Sequence, residues 1–316
     1  MIQLVGRRLL YLVPVLLGVA LLTFLIASLL PGDLAYVLLG DQATPETLAA
    51  VRRDLGLDQP MALRFLHWLG QVVQGDLGRS FRTGQTVVAA IGERLPVSIE
   101  LMVLAQAGAL AVAVPLAILS AVHQGGRFDR IATGVAFGSL SVPTMLSAIV
   151  LIWLVAVKLE WLPATGYVPF TEDPIGNVRS FILPALTLAS AEWPVLMRVL
   201  RSDMISTLQE DYIAMARAKG LKPARILLVH ALKPSSLTLV TVTGINIARL
   251  VGGAVIVEYI FAVPGIGRLL IGSIFNRDLI LLQGVVLFVG AAFVLANLAV
   301  DMLYAVLDPR IRHGSR

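Results

Sequence analysis

Cysteine is absent from all 316 residues, which excludes a disulfide framework, a thiolate metal cluster and a thiol nucleophile. Charge is scarce as well: Asp, Glu, Lys and Arg make up 14% of the chain, against about a quarter in soluble domains. No Gly-Lys dipeptide occurs, so there is no P-loop lysine and no site for ATP chemistry in the chain itself. Neither Gly-x-Ser-x-Gly nor His-Glu-x-x-His appears. The histidines, His67, His123, His230 and His313, never fall at i, i+4 spacing, which argues against a metal site. What the chain does have is apolar surface, 57% of residues, with a mean hydropathy of +0.85. A soluble globule of this make-up would leave large greasy patches in water; lipid is the better solvent. The +5 net charge and pI near 9.8 then read as a topology signal rather than a nucleic-acid footprint.

Crossing a bilayer takes about 20 apolar residues. Six windows qualify: 9–30, 101–122, 131–157, 180–197, 234–257 and 279–300, of which only 180–197 and 234–257 hold a charge, Glu192 and Arg249. Pro14, Pro115, Pro143 and Pro184 predict kinks inside them. For residues 1–30 a cleaved signal peptide is the competing reading, but the apolar run is too long and lacks a small-residue cleavage site. Six crossings put both termini on one side. The segments sharing that side carry 14 Lys and Arg, the opposite segments 10, six of them in one long arm whose charges weigh little. Both termini are therefore expected in the cytoplasm, in an all-α, six-span membrane protein. The expected division is a first span at 1–30, an extra-cytoplasmic arm at 31–96, a five-helix core at 97–307 and a tail at 308–316.

Short helices are expected in the arm. Thr44-Pro45-Glu46 is a start signal, Leu48, Val51 and Leu55 share a face, and Gly56 is a stop. A second amphipathic segment runs from Pro60 through Phe65, Leu69 and Val72 to Gly75. Both are expected to lie at the membrane surface, as a structural cap or as a dock for a partner.

The cytoplasmic segment 198–233 is the most informative. Met204, Leu208, Tyr212 and Met215 recur near helical spacing until Gly220 breaks the run, and Pro223 starts a second helix bearing Ile226, Leu227 and His230 along one side. Two short helices joined at a glycine bend are predicted. A basic loop that only enforces topology or touches anionic lipid would need no such bend. The alanine-rich run Ala214, Met215, Ala216, Arg217, Ala218, Lys219, Gly220 makes a slim helix able to seat in another protein's groove.

This segment resembles the EAA loop of binding-protein-dependent ABC importer permeases, in the form found in the B-type membrane subunit of the dipeptide/oligopeptide family. The Ala-Arg-Ala-Lys-Gly core matches Ala216–Gly220, and His230-Ala231-Leu232 matches the close of the second helix. The chain departs from the general importer consensus, with Ala214-Met215-Ala216 for Glu-Ala-Ala and His230, Leu232, Lys233 for Ile-x-Leu-Pro. Gly75-Asp76-Leu77-Gly78 with Ser80-Phe81, Glu93-Arg94-Leu95-Pro96, Glu258–Phe261 with Pro264-Gly265-Ile266-Gly267, and Asp308–Arg312 resemble the same subgroup in the same order. The resemblance implies a permease without cofactor or catalytic residues, located in the inner membrane. Residues 214–220 would be the coupling helix that sits in a cleft on a separate ATPase. Its partners would be a second homologous permease, two ATPase subunits and an extra-cytoplasmic substrate-binding protein. The expected cargo is short peptides, with nickel chelates, glutathione or oligosaccharides as alternatives.

Polar groups at membrane depth are costly and face a path or a partner. Glu192, Asn246, Arg249 and Glu258 are the candidates for a translocation path or gate, against a Glu192–Arg249 ion pair that merely packs helices. Gly244, Gly252 and Gly253 allow close helix approach, expected at a subunit interface. Pro264–Gly267 reads as an outer turn or small gate. A stand-alone secondary transporter would need inverted repeats, and a membrane enzyme a catalytic constellation; neither is visible.

Overall fold

The computed structural model describes residues 2–29, 44–54 and 58–307, and among them helix is the only regular structure apart from one isolated bridge, Arg79 with Thr86. The helices are α1 (Ile2–Leu29), α2 (Pro45–Asp54), α3 (Met61–Val73), α4 (Val87–Val122), α5 (Arg127–Ser141) and α6 (Thr144–Leu151), which continues as a π-helix (Ile152–Lys158). They continue with α7 (Pro174–Leu208), α8 (Asp211–Ala218), α9 (Pro223–Ile260, π-helical over Ile226–Ala231), α10 (Ile266–Phe275) and α11 (Leu279–Leu307). Four of these, α4, α7, α9 and α11, are long and apolar enough to cross a membrane, and α1 adds a 28-residue helix around Pro14. The second long helix starts at Val87, not 101, so Glu93-Arg94-Leu95-Pro96 lies inside it rather than leading into it. The tail at 308–316, most of the arm's first stretch and the expected stop at Gly56 lie outside the described residues.

The span expected at 131–157 is broken. Its halves, 127–141 and 144–158, meet at 101° beside Pro143, because proline disfavours helix in the residue before it and lacks a donor. The bent pair nevertheless runs the length of α7 in the opposite direction. At one end the Arg201 guanidinium binds Asp129; further along, the Ser139 hydroxyl donates to the Ser190 carbonyl at 2.7 Å. At the other end Arg179 donates to the Trp161 carbonyl at 3.1 Å and Asn177 to the Val168 carbonyl at 2.9 Å. From Arg201 to Arg179 is about 33 Å of helix at 1.5 Å per residue, a full hydrocarbon thickness. The pair therefore counts as one crossing.

Two compact units divide the chain. In the first, Val97–Val263 with Ala296 onward, an alanine stripe on α4 (Ala105, Ala109, Ala113, Ala117, Ala121) is buried at every fourth residue. Small side chains matter here because lipid supplies no hydrophobic drive between helices, leaving close contact to hold them. One cluster packs Leu101 and Ala105 with Phe181, Leu183, Leu250, Val257 and Phe261. Another packs Ala109, Ala113 and Ala117 with Ala132, Ala136, Leu196, Met197, Leu200 and Met204.

The other unit holds the residues up to Pro96 and Pro264–Leu295. In α2 the Thr44 hydroxyl caps the Thr47 N–H at 3.2 Å, with Pro45 first in the helix, as the start signal predicts. In α3, Phe65 meets Phe24 of α1 edge-on at 5.4 Å and Trp68 meets it at a tilt at 5.8 Å, while Leu66 and Val73 stay exposed. The Gly75–Phe81 string is a structural latch. The Asp76 carboxylate accepts the Gly78 N–H at 2.8 Å. The buried Ser80 hydroxyl donates to the buried Asp278 carboxylate, which also accepts from Leu281 N–H at the start of α11. Pro264–Gly267 leads straight into α10, with Gly265 as its N-cap.

Candidate functional site

The helices predicted on either side of Gly220 are present, as α8 and the start of α9, but the first begins late. α7 continues unbroken to Leu208, and only Gln209 and Glu210 separate it from α8. Met204 and Leu208 thus belong to the long helix, with Met204 fully buried. Tyr212 (44% exposed) and Met215 (59%) face outward from α8. The predicted common face is split because the helix axis changes direction between them. What α8 turns inward is Ile213 and Ala216, packed with Ile226, Leu208 and Leu221.

The bend at Gly220 is a full helix stop. The Leu221 N–H reaches back to the Ala216 carbonyl at 3.3 Å and the Gly220 N–H to the Arg217 carbonyl at 2.9 Å. This pairing requires a left-handed residue between them, and Gly220 sits at φ +73°. Leu221 joins the apolar contact under α8. Pro223 then opens the next helix, and the Tyr212 hydroxyl donates to the His230 carbonyl at 3.2 Å, tying the two limbs together. Ala214, Met215, Arg217, Ala218, Lys219 and Gly220 are all exposed, and Ala216 alone of the set is buried. The product is a short elbow joining α7 to α9, with Tyr212 and Met215 exposed among the likewise exposed Arg217, Lys219, Lys222 and Arg225.

The intramembrane polar residues separate into two kinds. Glu258 is 1% exposed and accepts from the Ser98 hydroxyl at 2.6 Å, pinning α9 to α4. Asn246 is equally buried, but its Nδ2 has no hydrogen-bond partner among the described residues. Arg249 pulls electrostatically on half-buried Glu192, yet the two form no ion pair among the described residues. The expected pair is therefore a longer-range attraction, with Arg249 reaching an exposed face of α9. Gly244 approaches Val300 so closely that a Cβ would stand 2.9 Å from it, making it a contact within the chain. A Cβ added at Gly252 or Gly253 would meet nothing within 4 Å, and both glycines are exposed.

Three features escaped the sequence. Gln106, buried on α4, has neither amide atom paired among the described residues; an unpaired polar side chain inside an alanine stripe has no periodic signature. Asp129 and Arg201, distant in the chain, form a two-pronged ion pair. At the end of α7 opposite the elbow, a recess of about 660 Å³ is lined by Glu160, Trp161, Tyr167 and Arg179. Burial, aided by the Glu100 and Glu172 carboxylates, pushes the Tyr167 hydroxyl above its ordinary range. Among the described residues no three His, Asp or Glu side chains converge to hold a metal.

Comparisons with known proteins agree with this architecture. Residues 113–313 match the family described as binding-protein-dependent transport system inner membrane component, and residues 1–102 match its N-terminal family. A peptide transport system permease protein of Brucella abortus is 43% identical, covering 99% of this chain and 100% of its own. The dipeptide transport system permease protein DppB of Escherichia coli is 38% identical, covering 99% of both. Among solved structures, an inward-facing MetNI methionine ABC transporter chain aligns with a TM-score of 0.57 at 15% identity, over 69% of this chain and 96% of that one. At that identity the match speaks for the fold only.

Proposed function

The chain belongs to the binding-protein-dependent transport system inner membrane component family, and from that premise we propose that it is one permease of an ATP-driven importer of short peptides. ATP hydrolysis resides on partner subunits, as is the rule for the family. The permease sits in the inner membrane as a multi-pass protein, with both termini and the elbow on the cytoplasmic side. A second permease, two ATPases and an extra-cytoplasmic binding protein complete the assembly, the second permease covering the open face at Gly252 and Gly253.

The observation that carries the reading is the elbow. α8 is connected at both ends to membrane-crossing helices, α7 through two residues and α9 through the Gly220 turn. A partner that grips Tyr212 and Met215 and moves therefore moves both crossings as levers, with no covalent chemistry in this chain. Around those apolar contacts the basic residues Arg217, Lys219, Lys222 and Arg225 suit an acidic rim on the ATPase. Glu192, Asn246 and Arg249 supply polar groups along the path for a zwitterionic cargo, and Gln106, whose carboxamide matches a peptide bond in donor and acceptor, joins them. Glu258 braces the outer end of that path.

The test is reconstitution of the full assembly in proteoliposomes, with ATP hydrolysis and uptake of a labelled dipeptide measured together. Met215→Asp puts a charge where an apolar contact is required; insertion stays normal, while ATPase association and uptake fall. Full uptake by this variant would overturn the elbow assignment, and absence of ATP-dependent dipeptide uptake by the native assembly would overturn the cargo.

A further inference from the structure

We propose that Asp129 and Arg201 are positioning residues that make α5 follow α7, so that elbow motion is delivered to the bent crossing as well as to α7 and α9. This rests on the elbow reading above. α7 is in series with α8, but α5 lies far from the elbow in sequence and receives its motion through packing, chiefly against α7. The seam between them is made of Ala132 and Ala136 on one side and Met197, Leu200 and Met204 on the other. Smooth apolar seams permit one helix to slide on another, and in lipid no hydrophobic drive resists it.

What resists it is polar. Arg201 Nε donates to Asp129 Oδ1 and Arg201 Nη2 to Asp129 Oδ2, both at 2.6 Å. Two parallel bonds between planar groups fix orientation as well as distance. The Asp129 carboxylate is itself held from behind by the Gly125 N–H, 2.8 Å from Oδ2, and its side chain is 6% exposed. Further along the seam, the Arg198 guanidinium lies over the Phe137 ring at 5.7 Å and Ser139 donates to the Ser190 carbonyl at 2.7 Å. These contacts cover the elbow-proximal half of α7 and all of α5. Just beyond Ser139 the chain turns through 101°, and α6 packs on the other half of α7 beside Phe181 and Leu183. α5 is thereby a rigid passenger of the inner half of α7, and the Pro143 bend is where its movement is taken up.

The experiment compares Asp129→Asn, Arg201→Lys and the exchange Asp129→Arg with Arg201→Asp in the reconstituted assembly. The readouts are the amount of assembled complex and the ATP hydrolysed per dipeptide taken up. A brace that serves only folding changes the first and leaves the second alone. The expected result is a clear rise in ATP hydrolysed per dipeptide in Asp129→Asn, because hydrolysis continues while α5 no longer follows α7. Arg201→Lys, which keeps the charge but loses the second prong, rises less, and the exchange recovers most of the native ratio. A native ratio in either single variant, measured per assembled complex, overturns the proposal; if Asp129→Asn does not assemble, Arg201→Lys alone decides it. Met215→Asp run alongside keeps the claims apart: full coupling there defeats the elbow reading itself, whatever the ion pair does.

Discussion

Replacing Gly220 tests the elbow most directly, because the structure isolates one physical effect. A Cβ placed on Gly220 meets nothing within 4 Å, so crowding contributes nothing to the cost of a side chain. The whole penalty comes from the backbone at φ +73°, about 1–2 kcal/mol for an L-residue other than glycine. Asparagine tolerates this region better than alanine. Proline cannot adopt it at all, since its φ is held near −65°. It also removes the N–H that donates to the Arg217 carbonyl, so the turn cannot form. For alanine the penalty converts to a factor of about 5–30 in the population of the formed elbow. In the reconstituted importer, uptake per ATP should fall in the order Gly, Asn, Ala, Pro, with insertion unchanged by protease accessibility. Alanine and proline equal to glycine would refute the reasoning. So would alanine worse than proline, an order that backbone handedness at residue 220 cannot produce.

Gly244→Leu forces a side chain into Val300, where even a Cβ would stand at 2.9 Å; overpacking of this kind costs about 1–3 kcal/mol, read as a lower melting temperature of the purified chain. Gly252→Ala, with open space for its Cβ, holds or raises that temperature, because alanine favours helix over glycine, and a drop there would mean the face is already covered within the chain. Arg249→Met removes the charge that acts on Glu192; uptake should fall while assembly holds, and normal uptake would remove Arg249 from the path. The cysteine-free sequence allows single-cysteine variants at Lys219 and Thr165, the first labelled only from the cytoplasm and the second only from outside. Labelling of both from one side would mean that α7 does not cross, and labelling of each from the side opposite to the expected one would reverse the topology.

Hydropathy alone located the long apolar helices α4, α7, α9 and α11, because lipid leaves a compositional mark. Hydropathy could not show that residues 131–157 break at Pro143, since membrane helices accommodate proline in several ways and the choice depends on what α7 offers alongside. The elbow was legible as well: Gly220 and Pro223 are local signals, and local geometry followed them. Its start was not, because Met204, Leu208, Tyr212 and Met215 keep helical spacing across a break set by Gln209 and Glu210, which carry no strong stop signal. Partnerships of the charged residues were least legible. Glu192 and Arg249 looked like a pair and are not in contact, whereas Asp129 and Arg201 are bonded and share no motif, since pairing across a fold depends on three-dimensional register.

Two of the polar bonds among α4, α7 and α9 lie on either side of a middle stretch of these helices. Ser98 binds Glu258 on one side, and the Thr207 and Ser235 hydroxyls meet at 3.1 Å on the other. Between them, Gln106 has both amide atoms unpaired and Asn246 its Nδ2. A buried polar group without a partner costs about 1–3 kcal/mol, so Gln106→Leu and Asn246→Leu carry opposite signs for stability and transport. If these groups serve a path that opens only in the working cycle, each leucine raises the melting temperature of the assembly and lowers dipeptide uptake. A lower melting temperature would mean that the assembled importer already satisfies them, as packing groups. A higher one with full uptake would mean that the middle of the bundle is not where cargo passes.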